Sequence, residues 1–433
     1  MTSALSNGTS VTLIILLMFT LMGVGVPIFV SIGISALAGL ELFFGARQAL
    51  IDFASFLWQG LNTFELVAIP LFVFAGILIQ EARIGDDLFD FARVWFGSLN
   101  NGLGIAVILA CAIFAAICGS SPVTAVTIGL VALPILSREG YSDNARGALV
   151  AAGGTLGILF PPSIPLIIYG VITETSIGKL FMGTLIPGIL LATLFALYVA
   201  FFLKPVVHSA SYSWEDRWSA VRRGLPVVML PVLIISCIYL GLITPTETGS
   251  VAVLYVLTLA IVKRRLSLRQ MARSAINAAL TSSMLLMIFG FGIVFARYTG
   301  LLQVPQDIAR AVGHITGGPL LVFTGLVISY VILGTFLESG AMTILTIPIF
   351  FPIALAIGLN PIQFGVMAAV NQEIAQIHPP AGLNLVTVSS ISGISLPKVM
   401  KSVLPFIVIE LLFLYVLYFF PQLTLFLPEH MLR

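Results

Sequence analysis

Helix-breaking residues recur in this chain at one fixed spacing. Residues 121–187 can be laid on residues 339–405 at a constant offset of 218 without a gap. The matched positions are Ser121, Pro134, Gly140, Gly147, Pro161, Pro162 and Pro187 with Ser339, Pro352, Gly358, Gly365, Pro379, Pro380 and Pro405. Proline removes a backbone donor and glycine permits unusual backbone angles, so both decide where a helix ends or bends. The repeat therefore predicts two copies of one pattern of broken helices.

The chain has the composition of an integral membrane protein. Apolar residues make up 59% of its 433 residues, and charged residues only 9%. About 20 apolar residues span a bilayer as a helix, and runs of this kind follow one another between residues 11 and 427. We expect an all-α polytopic membrane protein with two inverted-topology repeats, as in secondary transporters.

The basic residues indicate how the chain is oriented. Nine of the 20 Lys and Arg residues lie between Lys204 and Arg273, in two loops that bracket the apolar run 225–262. That run is long enough for two helices that turn at residues 244–247, so both loops face the same side. Basic loops are retained in the cytoplasm, which places residues 244–247 outside.

Other classes of function lack the residues that they need. The three cysteines lie in apolar runs without metal-ligand spacing, and the four histidines are scattered. The chain has no phosphate-binding Gly-Lys-Ser/Thr loop, so it does not use ATP itself. An intramembrane enzyme or redox-complex subunit would need a nucleophile–base pair, metal ligands or haem ligands across helices. We expect no enzymatic activity and no nucleic-acid partner.

Two long apolar stretches are each interrupted by a polar tip. Residues 103–135 are cut at 118–122, which read Cys-Gly-Ser-Ser-Pro, and residues 322–357 are cut at 338–340, which read Glu-Ser-Gly. Each stretch is too long for one perpendicular helix. Non-helical backbone at membrane depth is tolerated where it lines a cavity. Both stretches therefore predict re-entrant hairpins.

A helix broken at Pro-Pro follows each hairpin, in residues 153–163 and 371–382. Two prolines remove two donors and clash with the preceding turn, which frees the carbonyls upstream. Free carbonyl oxygens can replace the water around Na⁺, a hard ion that prefers oxygen. The alternative is that each Pro-Pro is only a kink repaired by its neighbours and water.

Two short amphipathic segments are predicted to be helices in the membrane interface. Residues 84–95 place Ile84, Leu88, Phe91 and Trp95 at helical spacing, with the acids elsewhere. A counterpart lies around residues 304–310, where the offset of 218 would put it. These helices are either connectors or rigid arms that join a mobile domain to a fixed one.

At these motifs the chain resembles the large membrane subunit of the tripartite ATP-independent periplasmic (TRAP) transporters, from about residue 10 to 425. The matching stretches are Ile-Pro-Leu-Phe at 69–72 with Gly76, Gly-Ser-Ser at 119–121, Gly-Ile-Leu-Phe-Pro-Pro-Ser at 157–163 with Tyr169 and Gly170, Thr-Pro-Thr-Glu at 244–247, and Pro-Pro-Ala-Gly-Leu-Asn at 379–384.

The resemblance implies an elevator-type fold, in which a transport domain slides against a fixed scaffold. It implies Na⁺-coupled uptake of a small organic acid across the bacterial inner membrane. The partners would be a separate four-helix membrane subunit and a soluble periplasmic substrate-binding protein. The alternative within transport is a stand-alone Na⁺/carboxylate symporter of the same superfamily.

The resemblance also divides the chain into scaffold and transport segments. Scaffold helices fall in 1–80, an interfacial arm in 81–100, one half of the transport domain in 101–187, scaffold helices and cytoplasmic loops in 188–300, a second arm in 301–317, the other transport half in 318–405, and a C-terminal helix in 406–433. A polar segment at 204–224 joins the two halves.

The sodium positions carry over by their motifs. Repeat one would use the tip serines and the carbonyls of the broken helix, and repeat two would use an acidic tip and its Pro-Pro break. These residues are Ser120, Ser121, Gly157, Phe160 and Pro162 in repeat one, and Glu338, Ser339, Pro379 and Pro380 in repeat two. Repeat one would offer neutral serine and carbonyl oxygens, whereas repeat two adds the carboxylate of Glu338, so Glu338→Gln is predicted to weaken the Na⁺ dependence more than Ser121→Ala.

Polar residues near the breaks are candidates for the wall of the substrate cavity. They are Thr155, Ser163, Asn371, Glu373, Gln376, His378 and Asn384. Arg297 ends an apolar helix, where it either attracts an anion or extends to the membrane surface. The sequence does not identify the substrate.

Overall fold

The computed structural model describes residues 7–203, 212–313, 317–335, 337–380 and 382–431. Within these ranges the regular elements are all helices, with no strand. Residues 204–211 of the predicted joining segment, residues 314–316 of the second arm segment and Ala381 of the Pro-Pro stretch lie outside the described residues.

The helices of the first half are α1 (Asn7–Gly23), α2 (Ile28–Phe44), α3 (Ala46–Leu61), α4 (Ala68–Glu81), α5 (Ile84–Phe96), α6 (Gly102–Cys118), α7 (Ser121–Arg138), α8 (Asp143–Gly154), α9 (Ile164–Thr173) and α10 (Ile177–Phe202). Those of the second half are α11 (Trp214–Tyr239), α12 (Pro245–Val262), α13 (Leu268–Leu301), α14 (Val304–Gly313), α15 (Gly318–Leu333), α16 (Ser339–Ala356), α17 (Pro361–Ile377), α18 (Leu383–Ser392), α19 (Leu396–Ser402), α20 (Leu404–Phe419) and α21 (Gln422–Glu429). Short 3-10 turns occupy Phe64–Val67 and Thr155–Ile158.

Many of these helices have the length and composition of membrane spans. Among the described residues, 7 helices can cross a bilayer, and α19 with α20, bent by 44°, would make an eighth. The prediction of an all-α polytopic membrane protein is confirmed.

The structure shows the internal repeat as matching elements. Helices α7 and α16 both begin at a tip serine, Ser121 and Ser339, which are 218 residues apart. At the same offset, α8 corresponds to the start of α17, and α9 corresponds to α18 within one residue. Both Pro-Pro bonds, Pro161–Pro162 and Pro379–Pro380, are cis. The predicted hairpins are α6 with α7 and α15 with α16.

The two repeats exchange packing partners. Helix α7 of the first hairpin packs on α18 of the second repeat, and α16 of the second hairpin packs on α9 of the first. These two contacts are equivalent under the offset of 218. Helix α17 lies between them and contacts α9, α10, α16, α18, α20 and the 3-10 turn Thr155–Ile158. The hairpins and broken helices therefore form one interlocked body.

A second body is built around the long helix α13, which packs on α2, α3, α4 and α16, while α12 packs on α4. Glycines allow the close approach of α2 to α13. A Cβ at Gly39 would lie 2.8 Å from the ring of Tyr298, so only glycine fits there without a shift. This body supplies helices α4 and α13 to the cavity described below.

The two segments predicted to lie in the membrane interface form helices α5 and α14. In α5 one acid is not on an exposed face, because Asp87 is buried and bonded to Lys263 at 2.5 Å and to Arg265 at 2.8 Å. Two cations from the end of α12 and the loop after it thus hold the start of α5. In α14 the pair Asp307–Arg310 is local and exposed.

Candidate functional site

A cavity of about 620 Å³ lies between the two hairpin tips. One side is formed by the tips and the broken helices. The other side is formed by α4 and α13. The polar residues of the wall are Ser120, Ser121, Glu338, Ser339 and Gln376 on the first side, and Gln80, Glu81, Asn277 and Thr281 on the second.

In repeat one the hairpin tip touches the broken helix through the backbone. A Cβ at Gly119 would lie 2.1 Å from the carbonyl oxygen of Pro162, and a Cβ at Gly157 would lie 2.4 Å from Cα of Ser121. Two of the predicted Na⁺ residues of the broken helix, Gly157 and Pro162, therefore lie against the tip that carries the serines. Phe160 is buried, and its ring packs where a Cβ of Gly188 would be.

Glu373 reaches this tip from the second repeat. The Ser121 hydroxyl lies 2.6 Å from its Oε1 and 2.7 Å from its Oε2, and the backbone N–H of Ile158 donates to Oε1 at 2.8 Å. Glu373 is fully buried and does not line the cavity. The expectation that repeat one offers only neutral oxygens is therefore wrong, because a carboxyl of α17 crosses to it.

A second buried carboxyl was not predicted from the sequence. Glu410 on α20 is fully buried, and its Oε1 lies 2.6 Å from the hydroxyl of Thr155. Thr155 begins the 3-10 turn that Ile158 ends, so the two carboxyls contact opposite ends of one turn. Oε2 of Glu410 is buried and has no hydrogen-bond partner among the residues that the structure describes. The sequence signal that could have identified Glu410 was an acidic residue inside the long apolar run 403–427.

In repeat two the tip has a different hydrogen-bond pattern. Glu338 Oε1 accepts from the N–H of Ala341 at 3.0 Å, so this carboxyl caps α16. Ser339 Oγ accepts from Nε2 of Gln376 at 2.8 Å. Glu338 therefore has a structural role as a helix cap, and it also lines the cavity.

Most of the predicted substrate residues lie behind the cavity wall. Gln376 lines the cavity. His378 is half-buried and Arg297 is exposed, and both lie outside the cavity. The other predicted residues are buried outside it: Thr155, Ser163, Asn371, Glu373 and Asn384. Pro379 is half-buried and Pro380 is exposed, and neither lines the cavity. Asn384 instead donates to the carbonyl of Ala151 at 3.4 Å, across the repeats.

The part of the cavity wall formed by α4 and α13 was not predicted from the sequence. Asn277 and Thr281 are one turn apart on α13, and Gln80 and Glu81 end α4. The usable signal was a pair of polar residues at helical spacing in an apolar run, which marks a face turned away from lipid.

Comparison with known proteins gives consistent results. Residues 15–423 match the family model described as "Tripartite ATP-independent periplasmic transporter, DctM component". The C4-dicarboxylate TRAP transporter large permease protein DctM of Pseudomonas aeruginosa is 35% identical, covering 92% of this chain and 94% of the relative. The sialic acid TRAP transporter large permease protein SiaM of Vibrio cholerae is 34% identical, covering 94% and 95%.

A solved structure has a similar fold. The crystal structure of the YdaH transporter of Alcanivorax borkumensis, described as having an unusual topology, matches with a TM-score of 0.60. The match covers 87% of this chain and 89% of that one at 14% identity, so it bears on the fold alone.

Proposed function

Because the chain belongs to the DctM component family of tripartite ATP-independent periplasmic transporters, we propose that it imports a small organic acid together with Na⁺. It would act as the large membrane subunit of a three-part system in the bacterial inner membrane. The observation that carries this proposal is the cavity between the tips, which has the helix breaks on one side and two scaffold helices on the other. Sites between broken helices are where secondary transporters bind substrate and coupling ions.

The described residues that line the cavity include two carboxyls, Glu81 and Glu338, and no basic side chain, so an anion would bind at a helix N-terminus. Helices α7 and α16 both begin at the cavity, and a helix N-terminus offers unpaired N–H groups and a partial positive charge. Glu338 caps α16 with its carboxyl, whereas Ser120 makes no side-chain cap on α7. The open N-terminus of α7 is therefore the better place for a carboxylate of the substrate.

The relatives narrow the substrate class. They are named for C4-dicarboxylates and sialic acid, which carry carboxylates, and also for ectoine and for isethionate, a sulfonate. Ser120, Gln80, Asn277 and Thr281 offer neutral hydrogen-bond donors and acceptors to the remainder of such a molecule. We assign the substrate to small organic acids that carry a carboxylate or sulfonate group.

The first tip also offers the oxygen ligands that Na⁺ prefers. The Ser121 backbone lies against Gly157 there, and the Pro162 carbonyl lies against Gly119 of the same tip. Hard cations bind hydroxyl, carbonyl and carboxylate oxygens, and in transporters unwound backbone at a helix break supplies such ligands. Na⁺ and the acid would then bind as neighbours at one tip, each offsetting the charge of the other.

We propose that the cavity, in this position, opens toward the cytoplasm. Glu81 lies at the end of α4, just before Arg83, whose carbonyl accepts from Arg265 at 2.8 Å in the basic region assigned to the cytoplasm. An elevator mechanism would carry the hairpins and broken helices from this position outward along α4 and α13. The scaffold wall would stay in place while the tips move.

The test is uptake in vesicles that contain this chain with its small membrane subunit and its binding protein. With an inward Na⁺ gradient, uptake of a radiolabelled C4-dicarboxylate or sialic acid is expected, and the matched K⁺ gradient should give none. Uptake that proceeds equally in K⁺ would overturn the Na⁺ coupling. Full-rate uptake without the binding protein would instead favour a stand-alone symporter.

A further inference from the structure

The contact between Glu373 and Ser121 joins the two repeats at the tip where a coupling ion would bind. A serine hydroxyl has one hydrogen to donate and two lone pairs. Here the hydroxyl oxygen lies within 2.7 Å of both carboxyl oxygens of Glu373. An ionised carboxylate has no hydrogen to donate and can only accept. The hydrogen is therefore directed at Glu373, and the lone pairs of Ser121 stay available on the opposite side.

The charge on Glu373 lacks a partner among the described residues. Its side chain is fully buried, and the ion pairs found in the described ranges join other residues. The other buried acid next to the same turn is Glu410, which has the same sign. A buried carboxylate without compensation is costly. A cation bound beside Ser121 would supply the missing charge.

The second repeat does not reproduce this arrangement. At the offset of 218 the residue equivalent to Glu373 is Thr155, and its hydroxyl is directed at Glu410 rather than at a tip. Ser339 accepts a hydrogen bond from Gln376, so one of its lone pairs is already used. Among the described residues, Ser121 directs its hydroxyl at a carboxyl and accepts no hydrogen bond, whereas Ser339 accepts one and the neighbouring Glu338 carboxyl caps its own helix.

We propose that Glu373 is the fixed negative charge of the repeat-one Na⁺ site and the residue that orients the Ser121 hydroxyl toward the ion. It is a positioning residue, since Ser121 and the backbone carbonyls contact the ion and Glu373 acts behind them. Such outer partners fix the direction of a ligand and raise its affinity for the metal. The inference rests on the proposed Na⁺ coupling.

The experiment measures the Na⁺ concentration for half-maximal uptake by the three-part system in vesicles, and the stabilisation of the purified membrane complex by Na⁺ without substrate. Glu373→Gln keeps the shape of the side chain but removes the charge. It should raise the half-maximal Na⁺ concentration at least about tenfold, the usual effect of losing an outer partner. Na⁺ should also stabilise this variant less than the wild type.

The matched control is Glu410→Gln, which removes the other buried carboxyl at the far end of the same turn. Its Na⁺ requirement should change much less. Equal shifts in the two variants would show a general effect of buried charge and would overturn the specific role of Glu373. If Glu373→Gln keeps the wild-type Na⁺ requirement, Glu373 is a neutral, protonated structural group and the inference is wrong.

A double-mutant cycle tests whether Glu373 acts through Ser121. The double variant, Ser121→Ala with Glu373→Gln, should be less impaired than the product of the two single effects, because the orienting part of the Glu373 role is lost together with the Ser121 hydroxyl, whereas fully independent roles would give multiplied effects. If Glu373→Gln does not fold, Ser121→Ala and Glu373→Asp provide the same test: the first should lose Na⁺ affinity, and the second should retain part of it. Wild-type affinity in Ser121→Ala would overturn the inference. Wild-type uptake that ignores Na⁺ would overturn the proposed function itself.

Discussion

The two hairpin tips share a backbone pattern and differ in the direction of one hydrogen bond. Ser121 donates to the carboxyl of Glu373, whereas Ser339 accepts from the amide of Gln376. Both partners come from α17, so the difference does not arise from the tips themselves. A duplicated fold can therefore keep its breakpoints and acquire two chemically distinct sites through the side chains of one central helix.

The largest effect is expected from Gly157→Ala. The added Cβ would lie 2.4 Å from Cα of Ser121, and backbone cannot move aside as a side chain can. The equivalent position in repeat two is already alanine, Ala375. Displacing the tip by about 1 Å can cost about 100-fold in rate, so uptake should fall by at least this much.

The control for Gly157→Ala is Gly325→Ala, where an added Cβ meets no atom within 4 Å. It should transport as the wild type does. Normal uptake by Gly157→Ala would mean that the first tip is not held against its broken helix during transport, and the comparison of the tips would lose its structural basis.

The second largest effect is expected from replacing the tip serines, which differ in their hydrogen bonds. Ser121→Ala should raise the half-maximal Na⁺ concentration about 10-fold to 100-fold, because it removes an oriented ligand next to a charged group. Ser339→Ala should change it less than about 10-fold, the range for a neutral hydrogen bond. The measurement is the Na⁺ dependence of uptake at saturating substrate.

For Glu338 and Ser121 the structure predicts the opposite order of effects on Na⁺ dependence from the one predicted from the sequence. Glu338→Gln should now affect Na⁺ dependence less than Ser121→Ala, since the Glu338 carboxyl is directed at its own helix and glutamine can still accept from Ala341. A larger shift in Glu338→Gln or in Ser339→Ala would place the stronger ion site in repeat two.

The smallest effect concerns the arms rather than the tips. Asp87→Asn should lower the free energy of unfolding by about 1–3 kcal/mol, because Lys263 and Arg265 lose a buried partner but remain partly exposed. Asp307→Asn on the other arm should leave stability unchanged, since that pair is exposed and local. Thermal unfolding of the purified complex measures both. Equal shifts would mean that the two arms are anchored alike.

The parts of the fold that follow local rules could be predicted from the sequence. The tip at residues 118–122, the Pro-Pro breaks and the helix at Ile84 follow from what proline, glycine and helical spacing permit. The contact between Ser121 and Glu373 could not be predicted, because it joins residues 252 apart through the exchange of packing partners between the repeats. Asn371 and Asn384 were assigned to the cavity for their polarity, but buried polar side chains also join helices to one another.

Helix α17 has a consequence for how many independent motions the carrier has. It is 17 residues long, about 25 Å at 1.5 Å per residue, and Glu373 and Gln376 are less than one turn apart on it. Each tip makes a buried hydrogen bond to nearly the same point of this helix. We therefore expect the two tips to move together, so that loss of a cation from one tip changes the energy of moving both. Such coupled tips would move across the membrane more readily with all ligands bound, or with none bound, than with only some of them bound. This would limit leakage of Na⁺ without substrate.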